Sequence, residues 1–173
     1  MLKIFTTQLS GVFKKIEEQE DEAIEDCSRL LAQTITGNGT IHIKGIGELE
    51  GIPSAIMDSN ESIPACAPYG ESVVESGDCI LAFANNTRNI ELEKLITQAE
   101  SEGISVVSVA AVEKGDEPIP NEEFHIDTKL SMPLVPGEDG ERIGYPVFML
   151  ALFVFYALYF NTNEMLTEYD REF

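Results

Sequence analysis

Apolar residues fall at helical spacing from the start of the chain. Leu2, Phe5, Leu9, Val12, Phe13 and Ile16 form one stripe, and Ile24, Cys27, Leu31 and Ile35 continue it, so residues 2–36 are expected to be helical. The acidic patch Glu17-Glu18-Gln19-Glu20-Asp21-Glu22 between the two halves predicts a bend at a solvated junction rather than a metal-binding patch. Gly37-Asn38-Gly39 tolerates positive φ and ends the helix. Residues 40–44 then read as a first strand running into a glycine-rich turn, Gly45-Ile46-Gly47-Glu48-Leu49-Glu50-Gly51. Residues 52–57 suit a short helix. The Ser-, Pro-, Gly- and acid-rich stretch 58–78 is not resolved by pattern, beyond a short element at 63–67 or 72–75.

The clearest signal follows. Residues 79–84, Cys-Ile-Leu-Ala-Phe-Ala, are a continuous small and apolar run, as in a strand covered on both faces of a parallel sheet. The polar residues Asn85, Asn86, Thr87, Arg88 and Asn89 come next. From Ile90 the pattern changes to Ile90, Leu92, Leu95, Ile96 and Ala99, a helix face that Gly103 stops. Residues 104–110 are a second buried, β-branched strand. Residues 113–122 read as an exposed loop, 124–128 as a short edge strand and 133–144 as another loop.

The last element starts at Tyr145-Pro146, with proline at a favoured first-turn position. Residues 147–160 carry no polar break beyond tyrosine hydroxyls. The run is shorter than the roughly 18–20 residues of a membrane span and is flanked by acidic segments, so it predicts a buried helix, 145–160, and no membrane partner. A helix apolar all round needs cover on every side, which one small domain does not supply. This predicts a homo-oligomer, a dimer or tetramer. Residues 161–173 suit a separate short surface helix.

With 173 residues the chain suits one domain, 1–173. Charge changes the picture more than length. The 31 acidic and 11 basic residues give a formal net charge of -20, which repels nucleic-acid backbones and anionic membranes. A phosphorylated ligand meets the same unfavourable field, so a phosphate site must work through local donors. Cys27, Cys66 and Cys79 form no CxxC or ligand-like cluster, and the N-terminus has no signal core, which together predict reduced thiols in a cytoplasmic protein. The turn after the first strand fails the dinucleotide fingerprint because Glu50 occupies the third glycine position, and no P-loop occurs, so no cofactor is expected.

Two motifs carry a family resemblance. Gly77-Asp78 followed by the apolar strand and the Asn85–Asn89 turn is similar to the sugar isomerase (SIS) motif of Gly-Asp, strand and Ser-x-Ser-Gly-x-Ser/Thr. Gly45-Ile46-Gly47-Glu48-Leu49 resembles the SIS Gly-x-Gly-x-Ser turn. The element order also resembles that superfamily, and most of all a short bacterial group, some members of which have been labelled phosphoheptose-isomerase-like. The resemblance implies an α/β fold, a doubly wound parallel sheet in a three-layer, flavodoxin-like sandwich. It implies a sugar-phosphate ligand and, with activity, an aldose–ketose isomerase. The SIS serines fall on Leu49, Ala84 and Asn86, its glycine on Thr87 and its helix-capping Ser/Thr on Asn89.

The ligand site implied comprises Gly45, Gly47, Asn85, Asn86, Thr87, Arg88 and Asn89, with Arg88 suited to pairing a phosphate bidentately. The ordinary roles of the same residues are an N-cap for Asn89, a turn for Thr87 and a surface pair between Arg88 and Glu91 or Glu93. An isomerase needs a base near the reacting carbons. Glu48 on the glycine-rich turn is the first candidate and His125 the second, while His42 inside a strand reads as structural. No spacing suggests a metal site. The lost serines leave a second reading open: an inactive SIS relative serving as a dimeric regulatory or interaction module.

Overall fold

The computed structural model describes residues 1–113, 115 and 124–172. Helices α1 (Leu2–Gln19) and α2 (Asp21–Thr36) are separated by Glu20 alone, so the acidic junction is a break of one residue. Strand β1 (Ile41–Gly45), a 3-10 turn (Gly47–Leu49) and α3 (Ile52–Met57) follow. Then come β2 (Cys66–Pro68), β3 (Cys79–Asn86), α4 (Ile90–Ser101), β4 (Ser105–Ala111) and β5 (His125–Asp127). The chain ends with a hairpin of β6 (Val135–Pro136) and β7 (Arg142–Ile143), and with α5 (Val147–Glu172).

Strands β1 to β5 form one sheet in the order β2-β1-β3-β4-β5, and every pairing in it is parallel. Parallel strands need crossovers, and crossovers cover both faces. Alternation along the strands divides the core accordingly. Ile41, Ile43, Cys79, Leu81, Phe83, Val107, Val109 and Ile126 join residues of α1, α2, α3 and α5 in one cluster. Ile80, Ala82, Ala84 and Ala110 join Leu92, Leu95 and Ala99 of α4 in the other. The β1-to-β2 crossover uses α3 and the β3-to-β4 crossover uses α4, on opposite faces. The chain therefore winds outward in both directions from the adjacent pair β1 and β3, the arrangement whose strand ends form the crevice of doubly wound folds.

Three expectations change, and a fourth falls mostly outside the described residues. The apolar helix does not end at residue 160: α5 is one helix to Glu172, because no Gly or Pro interrupts residues 161–172. By length and composition α5 could cross a membrane. In the fold its inner stripe, Val147, Leu150, Ala151, Val154, Phe155 and Leu158, is packed into the core, while Met149, Tyr156 and Phe160 remain exposed. The stretch 58–78 contributes β2, whereas 72–75 form no regular element. The expected loop 133–144 holds the β6–β7 hairpin, tied by Arg142, which donates from Nε to the Pro133 carbonyl at 2.7 Å and from Nη2 to that of Leu134 at 2.8 Å. Of the loop expected at 113–122, only Glu113 and Gly115 lie within the described residues.

Two polar clusters fasten the ends of the sheet. Past the carboxyl end of β5, Lys129 Nζ lies 2.5 Å from Glu20 Oε1 and 3.1 Å from Asp127 Oδ2, and its φ is 58°. Glu20 Oε2 also accepts the Asp127 N–H at 3.0 Å, and Asp127 Oδ1 accepts those of Val112 and Lys129. Burial works against the Lys129 charge, but the Glu20 hydrogen bond and the Asp127 carboxylate hold its pKa above the ordinary lysine value. At the opposite end, Asp78 precedes β3 and accepts the N–H groups of Thr40 at 2.7 Å and Glu75 at 2.8 Å, and lies 3.0 Å from His42 Nε2. Burial pushes the Asp78 pKa up, but the hydrogen bonds from Glu75, Thr40 and His42 outweigh it and hold the carboxyl below its ordinary value.

Replacing Lys129 with Met leaves two nearly buried carboxylates without their cation, and urea unfolding should register a loss of about 3 kcal/mol. A loss under about 1 kcal/mol would mean that the cluster fastens nothing. Asp78 gives a pH dependence. Its folded pKa is depressed, so its contribution is present above the unfolded value of 3.8 and is lost as pH falls below it. Stability should thus fall more steeply below about pH 4 in the wild type than in Asp78→Asn, read from urea midpoints across an acid series.

Candidate functional site at the carboxyl ends of β1 and β3

The crevice is shaped first by Gly45. A Cβ there would overlap the Leu49 carbonyl, because the chain turns back on itself directly after β1. Gly47 makes the turn with φ of 63°, a conformation that favours glycine. The close approach that the glycines permit is to the chain's own 3-10 turn. Gly45 is buried and Gly47 exposed, with Glu48 exposed beside it.

Next to this turn, β3 runs two residues further than the apolar run indicates. Phe83 is opposite Val109, but Asn86 is opposite Ala111, so three steps along β3 match two along β4. This one-residue bulge re-aims the side chains between them, a device common beside functional sites. Asn85 sits in the bulge. Its Nδ2 donates to Glu48 Oε1 at 3.2 Å, joining the ends of β1 and β3. Its Oδ1 is enclosed and has no hydrogen-bond partner among the described residues.

The turn after β3 is already well satisfied. The Thr87 N–H donates to the Ala111 carbonyl at 3.0 Å, and the Arg88 N–H to Asn86 Oδ1 at 3.0 Å. The Asn89 N–H donates to the Asn86 carbonyl at 3.3 Å. Asn89 is the N-cap of α4, accepting the N–H groups of Glu91 at 2.9 Å and Leu92 at 3.1 Å. Thr87 is buried rather than displayed. The chain's own acceptors therefore hold the amides that a phosphate cradle would use. Arg88 is the displayed donor, with its side chain 60% exposed.

Among the described residues Arg88 pairs with neither Glu91 nor Glu93. Its Nη1 lies 2.8 Å from Glu113 Oε2, two residues beyond β4, while Glu91 pairs with Lys44 at 3.1 Å. Tyr145, just before α5, completes the rim, with its hydroxyl 3.3 Å from the Leu130 carbonyl. Burial raises the Tyr145 pKa, and the negative charges of Glu48 and Glu113 raise it further. The contacts fall into two pairs, Glu48 with Asn85 and Arg88 with Glu113, and the turn at 85–88 links one pair to the other.

His125 is not brought to this set. It opens β5 opposite Ser108, with Nδ1 2.7 Å from Ser108 Oγ, and β5 is three strand positions, roughly 14 Å, from β1. Burial lowers its pKa; Asp127 and Glu20 oppose that shift and Lys129 adds to it. His42 lies at the other end of the sheet with Asp78. Among the described residues no group of three or more His, Cys, Asp and Glu could hold a metal ion. A groove of about 410 Å³ between α2 and the far half of α5, lined by Arg29, Ala32, Met165 and Tyr169, shares none of the crevice residues.

Sequence reading missed Glu113 and Tyr145. The first sat in an apparent exposed loop, and the second registered only as the start of a helix. A carboxylate soon after a buried strand of a parallel sheet was the available signal, because that is where crevice residues arise. The capping geometry makes a separate expectation. Asn89→Ala should cost about 1 kcal/mol in urea unfolding and Asn89→Asp almost nothing, because aspartate caps as well as asparagine. Equal losses in both variants would exclude the cap as the residue's contribution.

Comparison with known proteins places the chain. It is 41% identical over 172 residues to the uncharacterised protein YwjG of Bacillus subtilis (strain 168), and the alignment covers 98% of this chain and 99% of that one. Residues 1–166 match the family described as a domain of unknown function, DUF2529. With nearly the whole chain matched, from α1 into the second half of α5, the protein belongs to the DUF2529 family.

Proposed function

We propose that this protein binds a sugar phosphate, or a related small anion, in the crevice between the ends of β1 and β3, as a SIS-like member of the doubly wound α/β class. The observation that carries the reading is the Asn85–Glu48 hydrogen bond across the ends of β1 and β3, where the strand order reverses, with the part-exposed Arg88 three residues further along the same turn. The order β2-β1-β3-β4-β5 is the flavodoxin-like one, whose ligands sit at that reversal. Glu48 and Asn85 suit hydroxyl groups, and Arg88 suits an anion. In an aldose–ketose isomerisation of phosphoheptose isomerase type, Glu48 would take and return the proton, held by Asn85. His125 has no part in this reading, and neither a cofactor nor a metal is needed. A cytoplasmic setting belongs to the reading too. None of the three cysteines is in a disulfide, and burial pushes the Cys66 thiol up to about 12 and the Cys79 thiol up to about 11.

A second reading has its own support. The occupied amides of the β3–α4 turn suit an inactive relative, and the exposed stripe Met149, Tyr156 and Phe160 on α5 suits self-association. Such a protein would act as a dimeric regulatory or interaction module. In either reading the net charge of -20 argues against nucleic-acid and membrane partners.

Thermal unfolding against heptose, hexose and amino-sugar phosphates separates the two. A ligand at about 100 times its Kd adds about 2.7 kcal/mol, which is about 5–10 °C for a chain of this size. The expected result is a selective shift that Arg88→Ala abolishes without lowering the melting temperature of the free protein. A flat panel, with a dimer that Tyr156→Asp or Phe160→Asp dissociates, would replace this reading with the second.

A further inference from the structure

We propose that Asn38 is a site of spontaneous covalent modification, deamidation through Gly39, and that the last turn of α2 sets its rate. Two separate constraints of the fold place asparagine before glycine here. Asn38 follows the Gly37 cap of α2 and is exposed, with φ of 62°, a left-handed position that glycine or asparagine fills. Gly39 has to be glycine for another reason: a Cβ there would overlap the Gly77 carbonyl. Every other asparagine precedes a residue with a side chain, which hinders attack by the following nitrogen. The chemistry needs only water. The Gly39 backbone nitrogen, on losing its proton, attacks the side-chain carbonyl carbon of Asn38. The new C–N bond closes a succinimide ring, and the side-chain nitrogen leaves as ammonia. Water then opens the ring at one of its two carbonyls. One opening leaves aspartate. The other leaves isoaspartate, in which the main chain runs through the side chain and is one atom longer.

In the fold the attacking nitrogen is engaged, because the Gly39 N–H donates to the Thr34 carbonyl at 2.8 Å. The reaction is thereby confined to moments when that turn opens, and helix ends open more readily than the core. Its effect reaches the sheet through Thr40. The Thr40 N–H donates to Asp78 Oδ1 at 2.7 Å and its carbonyl accepts the Cys79 N–H at 3.1 Å, which fastens the entries of β1 and β3. Isoaspartate lengthens the chain just before that fastening, whereas aspartate does not. The test is incubation of the full chain in mildly alkaline buffer, followed by digestion and mass mapping. The peptide containing Asn38 should gain one dalton, at least about tenfold more slowly in the folded protein than in protein held unfolded in guanidinium chloride. Asn38→Gly, which keeps the left-handed position, should show no gain there. Deamidated protein recovered by ion exchange should have a lower urea midpoint than Asn38→Asp, because it carries isoaspartate. No mass gain at this peptide in the unfolded chain would overturn the site. Equal rates in folded and unfolded protein would overturn control by the turn, and a midpoint equal to that of Asn38→Asp would overturn the effect on the sheet.

Discussion

Parallel pairing is the constraint from which the rest of this structure follows. No pair in the main sheet can be closed by a tight turn, so each strand hands the chain to a crossover that returns to the same starting end. Every strand therefore finishes at one edge of the molecule. Both faces need cover, which explains why β3 has no polar position until Asn85 and why two separate apolar clusters flank one sheet. The reversal between β1 and β3 then decides which of the five strand ends stand apart. The polar clusters serve this plan at its two ends: Asp78 ties the entry of β3 to β1 through Thr40 and His42, and Lys129 ties the exit of β5 to the helix junction at Glu20.

The strong acidity of the chain gives the crevice its character. With so few cations, Lys44, Arg88 and Lys129 each lie beside carboxylates in the fold. The Lys129 pairing is largely enclosed and the Arg88 pairing is part exposed, so screening by solvent weakens the second more than the first. Around the crevice the chain has also satisfied its own amides with Asn86 and Asn89 side chains. One guanidinium, that of Arg88, is left part exposed at this turn beside the Glu113 carboxylate.

Much of the architecture was legible because it is written in local pattern. The stripe from Leu2 to Ile35, the buried run at 79–84 and the helix after Asn89 each carry their own periodicity, and the structure has all three. What stayed hidden depends on relations between segments. The bulge at Asn85 is a mismatch of β3 against β4 and does not exist in either strand alone. The pairing of Arg88 with Glu113 joins residues from different strands, so the nearer Glu91 and Glu93 attracted the assignment. Strand β2 is three residues long, too short for periodicity to register. The polar residues after Phe160 imitate a helix end by composition, but ending a helix needs a backbone reason, and none occurs there.

The outer strands of the sheet have one more consequence. Among the described residues, strands β2 and β5 each offer three residues of open ladder, and β2 ends in Pro68, which has no N–H to give. Edges this short are poor templates for growth by addition of foreign strands. The molecule is thereby guarded against fibril-like propagation by geometry as well as by repulsion between like-charged copies. The apolar residues that α5 leaves exposed, Met149, Tyr156 and Phe160, are a broader surface for association than either edge.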